Sequence, residues 1–402
     1  IDADRVALVR DGRKHSKRHA QAFANGLKST GIEVLLGGLE PTPVAYHAAW
    51  SRDIPAAAVT ASHNPPEYTG VKFASPGGAA LSREAGMAGV QGNYESKDFD
   101  RGGGEITEAN LGGEYAGHLS TEFESDAEVV VDAGNGAGGK RAKQVLERIG
   151  CDVRVVNAEP DGSFPDHLPD TETEKLKEET EGELGIVLDG DADRAAFLVP
   201  DYGEVSPDEA MALFAERCLD GDGAVLADLR SSKTVRETVE HNGGKYLESR
   251  VGHTFISERL HRNNEIVFAG ELSGHYYFPG LEAPWDDGIF AAALMADMHS
   301  ASDLAERLQD LPRHPASPEV RPDCPHDLKQ DVIEHLKQEY SDHELSTRDG
   351  VKVHFEDGWL LVRPSNTSPR MSIRCEFDNQ ERVDEVLEQA KEIVNEYIAE
   401  NT

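Results

Sequence analysis

Short apolar runs of β-type composition alternate with helix-like segments along most of this 402-residue chain, and that order leaves few folds open. Arg5–Arg10 reads as a strand, 16–29 as a helix, 32–36 as a strand, 43–50 as a helix and Ala56–Thr60 as a buried strand. A glycine-rich stretch at 101–113 breaks the pattern and places a boundary near 118. A second unit runs from strand 128–132 through helix 140–149 to strand 152–156, and strands 184–188 and 195–199 bracket an acidic loop. After Asp220-Gly221-Asp222-Gly223 a third unit begins, with strand 224–228, helix 233–242 and strand 266–269. From Pro318 the order changes to helix 328–340, strands 351–355, 359–362 and 371–377, and a last helix over 381–400. The predicted architecture is therefore three α/β units, 1–118, 119–222 and 223–317, followed by a smaller α+β domain, 318–402. No short internal repeat is visible in the residues themselves.

Asp and Glu number 75 against 40 Lys and Arg, a formal charge of −35 that recurs in every segment. Such a surface repels nucleic acid and anionic lipid, so neither is an expected partner. Arg outnumbers Lys, and a dispersed anionic surface poor in Lys fits a protein that stays soluble in concentrated salt. No apolar run approaches a membrane span, and the opening residues do not form a charged-then-apolar leader. Cys151, Cys218, Cys324 and Cys375 lie far apart, as neither a zinc site nor a disulfide framework requires. A reducing, cytoplasmic setting is expected.

Four loops carry chemistry. Thr60-Ala61-Ser62-His63-Asn64-Pro65-Pro66 leaves a buried strand, where a serine projects into the crevice in which such sheets bind ligands; Lys72 follows ten residues after Ser62. The same residues also fit a turn closed by prolines, and a hydrolase elbow is excluded because G-x-S-x-G is absent. Asp189-Gly190-Asp191-Ala192-Asp193-Arg194 sets three carboxylates at alternate positions, which suits Mg²⁺ or Ca²⁺. An EF-hand would need Gly and Glu where Arg194 and Pro200 stand. Gly270-Glu271-Leu272-Ser273-Gly274-His275 offers sugar-binding groups and a histidine able to move a proton, and also fits an ordinary polar turn; Val251-Gly252-His253 is a weaker signal. Arg363-Pro364-Ser365-Asn366-Thr367-Ser368-Pro369-Arg370 suits a phosphate dianion, or a plain Pro-bounded turn. Gly134-Asn135-Gly136-Ala137-Gly138-Gly139 matches a dinucleotide fingerprint, but the next strand ends at Val156-Asn157 without the acid that ribose requires. Close packing is the reading preferred for these glycines.

In this order the four loops resemble the signatures of the α-D-phosphohexomutase superfamily, most closely its phosphomannomutase/phosphoglucomutase branch, over essentially the whole chain. The resemblance implies four domains around a central cleft, the last with a TATA-binding-protein-like fold. It implies an isomerase that exchanges hexose 1-phosphate and hexose 6-phosphate, of mannose or glucose, through a phosphoserine and a bisphosphate. In that scheme Ser62 carries the phosphoryl group, and Asp189, Asp191 and Asp193 hold Mg²⁺ with a Ser62 phosphoryl oxygen. His63, Lys72, Arg194 and His275 serve the reacting phosphate. Glu271 and Ser273 bind the sugar, Arg363, Ser365, Asn366 and Thr367 clamp the distal phosphate, and Arg230 and His253 contribute to the substrate site. A hexose 1,6-bisphosphate is the implied activator, small sugar phosphates the partners, and a monomer or homodimer the expected state. The acidity adds a halophilic, archaeal source to this picture. Two rival readings stand beside it: phosphoglucosamine mutase, and a sugar-phosphate-binding protein with weak catalysis. The second arises because family members open with a strand and a Thr-Ser-Gly-Xaa-Arg-Gly loop that this N-terminally short sequence lacks, so poor turnover is expected; if turnover is nonetheless rapid, Arg13 is the first candidate for the role of that loop's arginine. Asn366, where many relatives have Gly, leans toward the mannose/glucose branch.

Overall fold

The computed structural model describes residues 3–82, 86–97, 99–365 and 368–402. Its first three sheets share one topology. In each, the opening strand lies between the second and third strands, parallel to both, and a fourth strand folds back antiparallel on the third. The opening strands are Arg5–Arg10, Glu128–Asp132 and Ala224–Asp228. Third and fourth strands are Ala56–Thr60 with Gly70–Ala74, Leu184–Leu188 with Ala195–Val199, and Ile266–Gly270 with Tyr276–Phe278. Every one of the first three reactive loops therefore joins a third strand to a fourth, at the carboxyl end of the parallel layer where such sheets bind ligands. The chain thus does contain a repeat, of topology and not of residues.

Burial follows composition. Ala56–Thr60 and Leu184–Leu188 are buried along their whole length, as parallel strands covered on both faces must be. Helix Gly288–Ala301 has almost no polar face, and from the third domain it packs against helix Gly139–Ile149 and the second sheet. One continuous apolar core consequently runs through all three domains. Helix Pro207–Cys218, placed by the sequence division in the second unit, packs on strand Ile266–Gly270 and helix Lys233–His241 of the third. Its isolated capping signal, Ser206 with Glu209, is real, but nothing local says which sheet it covers.

The last domain is a four-stranded antiparallel sheet, Glu344–Ser346, Val351–His354, Gly358–Pro364 and Met371–Phe377, packed with helices Lys329–Glu339 and Gln380–Asn401 around a separate core. It meets the third domain largely through charged pairs: Lys352 with Glu248 at 2.7 Å, Arg374 with Asp208 at 3.1 Å and Lys233 with Asp378 at 2.7 Å. A small apolar contact, Leu229 with Trp359 and Leu361, accompanies them. Among the described residues no helix is long and apolar enough to cross a membrane.

Candidate active site

Ser62 sits two residues beyond its strand in a left-handed backbone conformation, φ 50°, that a non-glycine residue adopts only when its surroundings hold it there. Two contacts hold it. Its N–H donates to Thr60 Oγ1 at 2.9 Å, and its carbonyl accepts from Arg13 Nη2 at 2.5 Å. The turn aims Ser62 Oγ at Asp189 Oδ2, 2.7 Å away, with His63 Nδ1 at 3.4 Å. Arg13 also donates to the carbonyls of Asn64 (2.6 Å), Pro65 (2.7 Å) and Tyr68 (3.3 Å). Its guanidinium is committed to the loop and to Asp11, so the candidate role as a phosphate contact is corrected: Arg13 builds the loop that presents Ser62.

The acidic loop is buried throughout. Asp189, Asp191 and Asp193 each turn one oxygen toward a common point, all three within 4.8 Å of one another. Asp191 Oδ2 accepts from Thr42 Oγ1 at 2.6 Å and pairs with Lys72 Nζ at 2.9 Å; Lys72 also pairs with Asp193 Oδ2. Arg194 Nε donates to Asp189 Oδ2 at 3.1 Å, while its Nη2 is buried without a hydrogen bond. Backbone crowding makes this geometry possible. A Cβ on Gly190 would come 2.7 Å from the Ser62 carbonyl oxygen, and one on Gly136 2.7 Å from the Gly190 carbonyl oxygen. The glycines of the dinucleotide-like fingerprint thus serve close approach, to the acidic loop as well as to the sheet.

Electrostatics report the strain of gathering these charges. Burial pushes the Asp189 carboxyl up to about 7, with Asp191 and Asp193 adding to the rise against the pull of Arg194. Burial acts the same way on Asp193, but Lys72 and His275 overcome it and hold that carboxyl well below the usual range. Lys72 is raised in turn: burial disfavours its charge, and Asp191 and Asp193 more than restore it. Asp191 Oδ1 and Asp193 Oδ1 are buried without hydrogen bonds. An all-oxygen donor set with unsatisfied, mutually repelling carboxylates fits a hard divalent cation such as Mg²⁺.

His275 closes the site from the third domain. Its Nε2 stands 3.6 Å from Asp193 Oδ1, its Nδ1 is 2.9 Å from Ser273 Oγ, and its ring stacks on His253 at 5.7 Å. Burial lowers its basicity, but Asp193, Glu271 and Asp286 raise it above the ordinary value. Glu271 is buried with Oε1 accepting from Gly252 N–H at 2.8 Å, so its carboxylate braces the Val251-Gly252-His253 turn. Asp349 links that turn to the fourth loop, accepting from Val251 N–H at 3.2 Å and Arg363 Nε at 2.9 Å. Among the described residues Arg363 Nη2 is buried and unbonded, as a guanidinium awaiting an anion would be. Arg370 is turned away onto Asp323 at 3.0 Å. Ser365 bonds Ser368 at 2.8 Å within its own loop, which Lys329 holds through two carbonyls. Arg230 is buried against Asp228 at 2.8 Å. Asn366 and Thr367 lie outside the described residues.

A cleft of about 370 Å³ opens over Ser62, His63, Lys72, His253 and His275. Sequence reasoning missed Thr42, which touches Asp191 through both its side chain and its N–H. Its only local signal is the Thr42-Pro43 start of a helix.

The phosphoglucomutase/phosphomannomutase alpha/beta/alpha domains I, II and III match residues 2–101, 114–203 and 206–314, and that family's C-terminal domain matches 319–393. A phosphoglucomutase of Neisseria gonorrhoeae is 33% identical over 97% of this chain and 88% of its own. A probable phosphoglucosamine mutase of Methanopyrus kandleri is 33% identical over 98% and 91%. A phosphomannomutase/phosphoglucomutase of Pseudomonas aeruginosa is 30% identical over 95% and 85%. A phosphoglucomutase/phosphomannomutase family crystal structure from Burkholderia thailandensis superposes with a TM-score of 0.88 at 28% identity, covering 98% of this chain and 90% of its own.

Proposed function

This chain belongs to the phosphoglucomutase/phosphomannomutase family of hexose-phosphate mutases, and from that premise we propose that it exchanges the 1- and 6-phosphates of mannose or glucose through a phosphorylated Ser62. The observation that carries this reading is Ser62 Oγ held 2.7 Å from Asp189 at the mouth of three buried carboxylates.

Phosphoserine gives its phosphoryl group to a free hydroxyl of the sugar monophosphate. The new P–O bond forms to that hydroxyl as the bond to Ser62 Oγ breaks, and the hydroxyl proton passes by way of a group in the cleft, for which His275 is placed, to the departing Ser62 Oγ. The hexose 1,6-bisphosphate turns over in the cleft and returns its other phosphoryl group to Ser62. Lys72 and Arg194 offset charge on the moving phosphoryl group, and the free Nη2 of Arg363 holds the distal one. Asp189, Asp191 and Asp193 would hold Mg²⁺ beside Ser62, where it would supply charge neutralisation.

Turnover is measured with mannose 1-phosphate, glucose 1-phosphate and glucosamine 1-phosphate, with Mg²⁺ and a trace of bisphosphate. The first two should react faster than the third; the Methanopyrus relative makes glucosamine 1-phosphate the necessary control. Ser62→Ala should lower kcat by several orders of magnitude with sugar-phosphate binding little changed. Its intact mass should also lose the phosphate adduct of the unaltered chain. An adduct retained in Ser62→Ala removes Ser62 from the mechanism. The charge of −35 further supports operation in concentrated salt, as a soluble cytoplasmic enzyme. Melting temperature should accordingly rise with salt, and a steady fall would refute that part of the reading.

A further inference from the structure

A second group of donors stands behind the acidic loop. Asp193, His275 and Asp286 each bring one ligand atom within 4.8 Å of the others. His275 Nε2 is 3.6 Å from Asp193 Oδ1 and 3.9 Å from Asp286 Oδ2. Donors around a tetrahedral zinc ion are about 3.4 Å apart, and His275 Nε2 stands within about 0.5 Å of that spacing from both carboxylates.

Independent observations show that something is wanted there. The Tyr46 hydroxyl is buried without a hydrogen bond, and among its charged neighbours Asp286 acts on it most strongly, ahead of Lys72 and Asp193. Asp286 Oδ1 is likewise buried and unbonded. Leaving buried polar atoms unpaired is costly, and a cation between the carboxylates removes that cost. The surroundings also orient the donors. His253 Nδ1 lies 3.2 Å from Asp286 Oδ2, and its ring stacks on His275.

We propose that Asp193, His275 and Asp286 form a second cation site, selective for a transition-metal ion such as Zn²⁺. An imidazole with two carboxylates favours zinc over magnesium, whereas the three-carboxylate loop offers oxygen alone. Asp193 belongs to both groups: Oδ2 is held by Lys72, and Oδ1, free of hydrogen bonds, faces His275 and would bridge the two ions. Paired ions in two-metal sites lie roughly 3.5–4 Å apart. An ion bound here occupies the nitrogen of His275 that faces the acidic loop, so the site acts as an inhibitory one.

The 402-residue chain, saturated with Mg²⁺, is titrated with Co²⁺ as a visible stand-in for Zn²⁺. The expected result is an intense absorption band of four- or five-coordinate cobalt that persists in excess Mg²⁺ and is bleached by Zn²⁺. Asp286→Asn should weaken Co²⁺ binding at least tenfold, and Asp286→Glu should recover part of the loss. A band that Mg²⁺ chases away would place cobalt on the acidic loop and overturn the proposal, as would a band unchanged in Asp286→Asn. Should Asp286→Asn fail to fold, the Mg²⁺ competition on the unaltered chain decides alone. Neither readout needs turnover, so the test stands whatever the mutase assay returns.

Discussion

The first and third domains end their opening strands on the same corner, Asp11-Gly12-Arg13 and Asp228-Leu229-Arg230, and use it in opposite ways. In both, the aspartate accepts from the N–H two residues on, at 3.1 Å and 2.7 Å. In the first domain the arginine then reaches forward to four carbonyls of the Ser62 loop. In the third domain the aspartate reaches forward instead, accepting from Leu272 N–H at 2.9 Å, and the arginine folds back onto it with two further bonds. The carboxyls respond accordingly. Burial raises Asp11, and Ser16, the Arg13 N–H and the Arg13 guanidinium at 3.1 Å only partly offset it. Burial also opposes the charge on Asp228, but Arg230 prevails and that carboxyl is lowered. One corner design thus fixes the Ser62 loop through an arginine and the Glu271–His275 loop through an aspartate.

The largest effect is expected from removing the arginine on which the first loop depends. Arg13→Ala leaves Asp11 buried without its cation, a loss of about 3–5 kcal/mol in stability. It also frees four carbonyls and the left-handed turn at Ser62. A shift of about 1 Å in a reacting group can cost roughly 10² in rate, so kcat should fall at least that far while KM changes little. Arg13→Lys should do nearly as badly, because an ammonium cannot reproduce the planar fork. Steady-state kinetics with a thermal melt check both, and a variant altered in KM alone would return Arg13 to the substrate site.

Arg230→Ala tests the other half. Asp228 keeps two backbone N–H bonds but loses its buried cation as Asp11 does, so the stability loss should again be about 3–5 kcal/mol and the smaller cost should lie in turnover. KM should rise by about tenfold, near 1.4 kcal/mol of binding, with kcat close to the starting value. A collapse of kcat as deep as that of Arg13→Ala would erase the distinction between the two corners.

How much of this could be read in the residues follows the same division. Ser62, Lys72, Asp189, Asp191, Asp193 and His275 were visible because their chemistry is local: a polar residue released from a buried strand has few other uses. Thr42 and the actual task of Arg13 were not, because each acts on a group far away in sequence, and Arg13 does so through backbone oxygens that no motif records. The long strands and amphipathic helices were legible from their periodicity. Strand Gly70–Ala74 was not, since a run of Gly-Val-Lys-Phe-Ala becomes a strand only by pairing with Ala56–Thr60. Three-residue strands such as Tyr276–Phe278 are set in the same way.

The second domain supplies a third corner and the smallest predicted effect. Asp132 accepts from Gly134 N–H at 2.9 Å, as its counterparts do, but no arginine follows it. Its cation comes from His167, with Nε2 at 3.1 Å from Asp132 Oδ2 and Nδ1 at 2.7 Å from the Leu168 carbonyl. Both ring nitrogens face acceptors, a geometry that only the doubly protonated imidazolium satisfies. The hydrogen bond to Asp132 accordingly raises the His167 pKa above 6.5, against the effect of burial. Burial opposes ionisation of Asp132, yet His167 and Gly134 lower that carboxyl. A raised histidine contributes stability that is complete below its ordinary pKa and disappears as pH climbs through the raised one; the lowered aspartate loses its share only in acid. Melts from pH 6 to 8.5 should therefore show a loss on the alkaline side, under about 1 kcal/mol because the partly exposed pair is screened. His167→Asn should flatten that slope, whereas Arg13 and Arg230 cannot titrate in this range and leave their corners unaffected. A slope that survives His167→Asn would mean that another histidine sets it and that the second corner holds without a charged partner.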